Sequence, residues 1–194
     1  LATLNLYYIT KLSKEMNYKV LLSGAGADDI FTGYRRHSAL YLQSKLGPLF
    51  NLTLKSLSAI KPFLSSSLNQ LTYRRISKLI NINSSSSENN LSNYFLWTNL
   101  SNLNNLITND FKDLIIKEKI FKDFDEYYNL IPSKLNLVEK MLLLEQRFFL
   151  TEHNLNYVDK ISMSNGIEVR VPYLDVDLLE YVNSIHYSYK IDLF

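Results

Sequence analysis

The chain has 194 residues, 46% hydrophobic and 21% charged, enough for the core of one domain or one and a part. Its formal charge of +2 is too small for nucleic-acid binding driven by counterion release. With no cysteine, disulfides, thiolate metal sites and a cysteine nucleophile are excluded within the chain.

The chain starts with Leu1 rather than Met, and helix-like periodicity begins almost at once at Leu4, Tyr7, Tyr8 and Leu12. A piece of a longer protein is the expectation. Leu4–Met16 reads as an amphipathic helix, and Tyr18–Leu22 as a short strand bounded by Asn17 and Ser23-Gly24. Gly24-Ala25-Gly26-Ala27 follows, and a second helical pattern opens at Asp28-Asp29-Ile30-Phe31. Helix, strand, glycine-rich turn and helix in this order is the grammar of an α/β unit. No other strand signal is as clear. From Pro48 to about Leu130 the pattern is mostly helical but weak, with Ser65–Ser67 and Asn83–Asn90 loop-like by composition. Leu135–Glu152 is the most convincing helix, offering Val138, Met141, Leu142, Leu144 and Phe148 to a core. Asn165-Gly166 looks like a helix stop, Ile167–Val171 is extended up to Pro172, and Asp175 is placed to cap a last helix carrying Leu178, Leu179 and Val182. No apolar run reaches the roughly 18 residues of a membrane span, because Glu145, Gln146 and Arg147 break Met141–Leu150. No basic stretch precedes an apolar one at the start, which predicts a cytoplasmic protein.

Glycines after a strand let the backbone approach a ligand closely, and open α/β sheets bind ligands at the carboxyl ends of their strands. Ser23–Gly26 is therefore a candidate nucleotide-contact turn; a plain tight turn is the alternative. It is not a phosphate-cradling Walker loop, since no Gly-Lys-Ser/Thr follows. Asp28 and Asp29 either compensate the dipole of the helix they open or hold magnesium, which typically uses one or two carboxylates plus phosphate oxygens. Arg35 and Arg36 either grip a phosphate or carboxylate or form a salt-bridged face, with at most one of them aimed at the turn. Glu168 and Arg170 share one face of the extended segment, and their valine neighbours suggest partial burial with salt bridges to nearby helices. His37, His153 and His186 have no metal-binding spacing.

The run Leu21-Leu22-Ser23-Gly24-Ala25-Gly26-Ala27-Asp28-Asp29-Ile30-Phe31-Thr32-Gly33-Tyr34-Arg35-Arg36-His37 resembles the second nucleotide-site motif of glutamine-dependent asparagine synthetases, roughly L-S-G-x-G-x-D-E-x-F-x-G-Y-x-R. Asp159–Asp175 is similar to that family's later signature, D-K/R-x-S-M-x-x-G-x-E-x-R-V-P-F-L-D. The two motifs stand in the right order and cover about 35 residues. The resemblance implies a parallel-sheet α/β parent fold of the adenine nucleotide alpha hydrolase type, of which residues 1–194 are a mostly helical piece with one clear strand. It implies that ATP adenylates the side-chain carboxylate of aspartate, and that ammonia from a glutaminase domain displaces AMP. By position, Ser23, Gly24 and Gly26 match the ATP-contacting turn, and Asp28 matches an acid associated with Mg2+ and pyrophosphate. The implied partners are aspartate or another carboxylate and a source of ammonia, with a homodimer compatible and no nucleic acid or membrane span.

The departures from the family pattern are informative. The upstream pyrophosphate loop, S-G-G-x-D-S, and the glutaminase domain are not in this chain. Ala25 stands where many asparagine-making members carry a glutamate, and a methyl group neither takes nor gives a proton. Counting back from Gly166, Asn154 lies where some members have an acid. These changes admit another acceptor carboxylate, as in surface-polysaccharide synthesis, or a non-catalytic, partner-binding relative. A helical interaction domain without a nucleotide site is the generic alternative. The piece alone is expected to lack synthetase activity and, with Tyr18–Leu22 as an unsupported strand, to be unstable.

Overall fold

A computed structural model describes residues 2–67, 69–84, 90–96, 102, 105–108, 111 and 121–191, with backbone alone at 61–67, 81–84 and 90. In chain order the elements are α1 (Ala2–Glu15), β1 (Val20–Leu22), α2 (Ala27–Phe31), α3 (Arg35–Leu46), α4 (Pro48–Ser67), α5 (Gln70–Ser84), α6 (Lys122–Leu130), α7 (Leu137–Leu144), a π-helical segment (Glu145–Leu155), α8 (Asn156–Ser164), β2 (Glu168–Arg170) and α9 (Val176–Ser184). Short 3-10 turns lie at Asn90–Tyr94, Pro172–Leu174 and Tyr187–Tyr189. The chain is mostly helical with a small parallel sheet, as a piece of an α/β domain should be. It divides into two compact units, residues 1–38 with 137–194, and residues 39–136.

In the first unit β1 is not unsupported. It pairs in parallel with β2, in the register Val20 to Glu168, Leu21 to Val169 and Leu22 to Arg170. The ladder extends at both ends, from Glu168 N to Lys19 O and from Ser23 N to Arg170 O, each at 2.9 Å. The extended reading of Ile167–Val171 is thus a second strand, and the two signature segments meet as neighbouring strands. Gly166, at φ 69°, ends the long helix where the sequence placed a stop. Asp175 caps α9 by accepting from Leu178 N at 3.2 Å.

The amphipathic reading of α1 needs correction. Leu4, Tyr8, Ile9, Leu12 and Met16 are exposed, while Thr10 and Ser13 are buried. Small side chains let α1 come close to α8, and their hydroxyls are satisfied by helix carbonyls: Thr10 Oγ1 donates to Leu6 O at 2.9 Å and Ser13 Oγ to Ile9 O at 2.8 Å. Asn165 Nδ2 then donates to Thr10 Oγ1 at 2.9 Å, tying the end of α8 to the middle of α1.

The second unit is built on the pair α4 and α5. Phe50, Leu54 and Ile80 form a buried cluster between them, with Leu57, Ile76 and Leu79 packed around it. Gly47, at φ 50°, separates α3 from α4, and Pro48 takes the first position of α4, where a missing N–H costs nothing. Asn69 caps α5 by accepting from Thr72 N at 2.8 Å. Ser65–Ser67 continues α4 rather than forming a loop, because the modest helix penalty of serine is easily met at a helix end. Of the other loop-like stretch, residues 83–84 end α5, Asn90 opens a 3-10 turn, and 85–89 lie outside the described residues.

Replacing Thr10 by valine keeps the shape but leaves the buried Asn165 amide without its acceptor. In the full-length protein this variant is expected to lose about 1–3 kcal/mol of stability in urea denaturation, with Asn165→Ala in the same background recovering part of it.

Candidate functional site

The turn after β1 places the residues that the sequence singled out. Ser23 continues the ladder, and its Oγ accepts from Ala25 N at 3.2 Å, closing the turn on itself. Gly24 is exposed, and a Cβ there would meet nothing within 4 Å. The space in front of the turn is open, and the Gly24 amide has no acceptor among the described residues. Gly26 is buried at φ 91°, and a Cβ there would lie 2.4 Å from Leu174 Cδ2. Glycine is required at this position twice over, by the left-handed backbone and by the close packing of the later signature.

The helix that follows is shorter than the sequence suggested. It spans only Ala27–Phe31, stops at Thr32 (φ 62°), and α3 begins afresh at Arg35. A helix of five residues carries little macrodipole, which weakens the reading of Asp28 and Asp29 as dipole compensation. Thr32 holds an uncommon left-handed conformation for a β-branched residue. Its hydroxyl donates to the Lys190 carbonyl, which docks the Tyr187–Tyr189 turn against the end of α2.

The two adjacent aspartates have opposite surroundings. Asp28 is exposed, and its carboxylate has no hydrogen-bond or ion-pair partner among the described residues. Asp29 is 1% exposed and faces inward, where Tyr34 OH donates to its Oδ2 at 3.3 Å and Asn154 Nδ2 approaches the same oxygen at 3.4 Å. Asn154 Nδ2 also donates to Tyr34 OH at 3.3 Å. Burial, and secondarily the charge of Glu145, push the Asp29 carboxyl up from the usual 3.8 to about 6, against the opposing pull of Arg36, Tyr34 and Asn154. Burial, and then the Asp29 charge, raise the Tyr34 phenol above its usual range. An acid at position 154 would add a third carboxylate to this pocket, whereas the amide donates a hydrogen bond.

Behind Asp29 lies a buried ion cluster that sequence reading missed. Glu145 and His37 are both 0% exposed. Arg36 Nε donates to Glu145 Oε1, and His37 Nε2 lies 2.5 Å from Glu145 Oε2. A carboxylate only accepts, so Nε2 carries the hydrogen. The Arg36 guanidinium lies 4.1 Å from the Tyr34 ring centre and 4.7 Å from that of Phe149. Arg36 is therefore a half-buried structural cation, and Arg35 is exposed. The signal for Glu145 was present: a lone acid inside the most apolar stretch of the chain.

The helical register brings this cluster together. Residues 137–164 form one unbroken helix that is π-helical from Glu145 to Leu155. At about 100° per residue, nine residues of α-helix would put Asn154 on the face opposite Glu145. In the wider i→i+5 register, at about 82° per residue, both come to the same face. Glu145, Phe149 and Asn154 all meet the α2–α3 segment for this reason.

Glu168 and Arg170 correct another expectation. They are exposed and pair with each other, Arg170 Nε donating to Glu168 Oε1 at 2.8 Å, instead of reaching neighbouring helices. Phe148 is half-buried. His153 stacks on Phe149, and His186 caps the Tyr187–Tyr189 turn. No group of three or more acidic or histidine side chains is placed to hold a metal among the described residues.

With strand, glycine turn and later signature in contact, the comparison with known families is decisive. The family model for asparagine synthase matches residues 2–193. The chain belongs to the asparagine synthase family. No curated protein and no solved structure matches it. No helix among the described residues is long and apolar enough to cross a membrane.

Glu145→Gln removes the charge that faces Arg36 and His37 and sets the amide NH2 against one of these two donors. It is expected to cost about 3 kcal/mol in chemical denaturation of the full-length protein. Asp29 gives a pH signature. Its folded pKa of about 6 exceeds the usual 3.8, so the folded state keeps a proton that the unfolded state has released. The resulting stability is full below about pH 4 and lost as pH rises through about 6. Asp29→Asn is expected to remove this fall from a stability–pH profile measured without divalent cations.

Proposed function

We propose that this chain supplies part of the nucleotide site of an ATP-dependent ligase that converts a carboxylate into an amide. The first acceptor to test is aspartate, and the nitrogen comes as ammonia from a glutaminase domain. The observation that carries this reading is the exposed, unpartnered Asp28 carboxylate beside the open Ser23–Gly26 turn at the carboxyl end of β1. Membership of the asparagine synthase family and the packing of Gly26 on Leu174 support it.

In the proposed reaction an acceptor carboxylate oxygen attacks the α-phosphorus of ATP, and the bond to the leaving pyrophosphate breaks. Ammonia nitrogen then attacks the activated carbonyl carbon, AMP leaves with the C–O bond, and one proton is lost from nitrogen. The chain's part is to bind and orient. At the exposed Gly24 the turn would let the nucleotide approach the backbone without meeting a side chain. Asp28 is the outward carboxylate that would hold magnesium, whose positive charge would offset that of the phosphates. One outward carboxylate beside an open turn fits this ion, because magnesium is usually held by one or two carboxylates together with phosphates and water. Ala25 offers no group for the proton released from nitrogen. That departure favours a second reading, in which the acceptor is a carboxylate other than aspartate.

The test is pyrophosphate exchange into ATP by the full-length protein, measured with aspartate and then with a panel of sugar acids and amino acids. Acceptor-dependent exchange is expected, and Asp28→Asn is expected to reduce it about 100-fold, the scale of a lost electrostatic contact to developing charge. Absence of exchange with every acceptor, with ATP binding also lost, would replace this reading with that of a partner-binding relative.

A further inference from the structure

We propose that Gly33 is a positioning residue for the Asp28 carboxylate. The inference rests on the assignment of Asp28 to the metal and adds what holds that carboxylate in place. The chain reverses at the end of α2, where the amides of Thr32 and Gly33 both return to the Asp28 carbonyl, the latter at 3.0 Å. The reversal carries the Gly33 backbone directly beneath the Asp28 side chain. A Cβ on Gly33 would lie 1.9 Å from Asp28 Oδ1, 2.7 Å from Cγ and 3.0 Å from Cβ. Contacts this short are not sustained, so a side chain at position 33 and the present Asp28 rotamer exclude each other. The backbone does not demand glycine here: Gly33 lacks the positive φ of Gly26, Gly47 and Gly166. What fills the space of the missing side chain is the carboxylate itself.

Two backbone hydrogen bonds fix the Asp28 carbonyl, so its carboxylate escapes a new methyl group by turning about χ1. The 3.0 Å approach to Asp28 Cβ, which χ1 does not move, is met by a shift of a few tenths of an ångström. A turn to another staggered rotamer moves both carboxylate oxygens away from where they now stand relative to the Ser23–Gly26 turn. Gly33 is itself exposed, so replacing it disturbs no buried core.

The test uses the full-length protein and Mn2+ as the spectroscopic metal, with free Mn2+ followed by electron paramagnetic resonance during titration in the presence of a non-hydrolysable ATP analogue. Wild type, Gly33→Ala, Asp28→Ala and the double variant are compared, each with a thermal melt. Gly33→Ala is expected to weaken Mn2+ binding about 10- to 100-fold, the range for losing a group that orients a metal ligand. Its melting temperature stays near that of wild type, and the double variant binds no more weakly than Asp28→Ala alone. Binding within twofold of wild type in Gly33→Ala, while Asp28→Ala is weakened, overturns the positioning role and leaves the Asp28 assignment standing. An equal further loss in the Asp28→Ala background also overturns it, since Gly33 would then act independently of the carboxylate. Undiminished binding by Asp28→Ala overturns the metal assignment and this proposal with it. Should Gly33→Ala fail to fold, folding rescued by Asp28→Ala supports the contact, and failure in both backgrounds refutes it.

Discussion

The buried carboxylate of Glu145 is the constraint around which the first unit is arranged. A charge withdrawn from water must be matched by partners at close range, or it is costly enough to unfold a small unit. Arg36 and His37 provide that match from the first turn of α3, and both reach Glu145 only if α3 starts where it does. That start is set by the break at Thr32 and Gly33, so α2 cannot run on into α3. The short α2, the reversal and the fixed α3 together form a rigid back to the glycine turn. Stability and the geometry of the candidate site are thus settled by the same ion cluster.

The cluster also separates the fates of two neighbouring aspartates. Adjacent residues on a short helix point in different directions. Once Asp29 is drawn inward to Tyr34 and Asn154, Asp28 is left facing solvent. Inside, burial first and the neighbouring Glu145 charge second outweigh the pull of Arg36, and the Asp29 carboxyl gives up its proton only with difficulty. Outside, the Asp28 carboxylate faces solvent beside the turn. The pocket explains why an amide suits position 154, since it donates to oxygens that a further carboxylate would repel.

Much of this was legible in the sequence, and the boundary has physical causes. Local signals carried through: Gly166 as a stop, Asp175 as a cap and the strand expected at Tyr18–Leu22 each depend on a few adjacent residues. That strand is found shortened to Val20–Leu22, because the Tyr18 amide still donates to Ser13 O. The strand at Glu168–Arg170 was harder to see because charged residues occupy its outer face, where they pair with each other. Face assignment failed for α1, because apolar periodicity marks a stripe without saying what covers it. Thr10 and Ser13 satisfy their hydroxyls within the helix and so become suitable for burial. The approach of Asn154 to the pocket in front of the ion cluster was out of reach for another reason. Glu145 and Asn154 share a face only in the π register, which an α-helical reading of the same residues sends to opposite sides.

That register links the two signature motifs. The first contributes the turn, Asp28, Asp29 and Tyr34; the second begins at Asp159, immediately after the π segment returns to α-helix in α8. Any residue gained or lost within Glu145–Leu155 would rotate everything after it by most of a right angle relative to Glu145. Asn154 would leave Asp29, and α8 would enter the β2 strand from a different angle. β2 must arrive in register with β1 for Ser23 to complete its bond to Arg170, and Leu174 must arrive on Gly26 to close the turn. The wide helix is therefore part of the site's geometry, setting the distance and the rotation between two motifs more than a hundred residues apart in the chain.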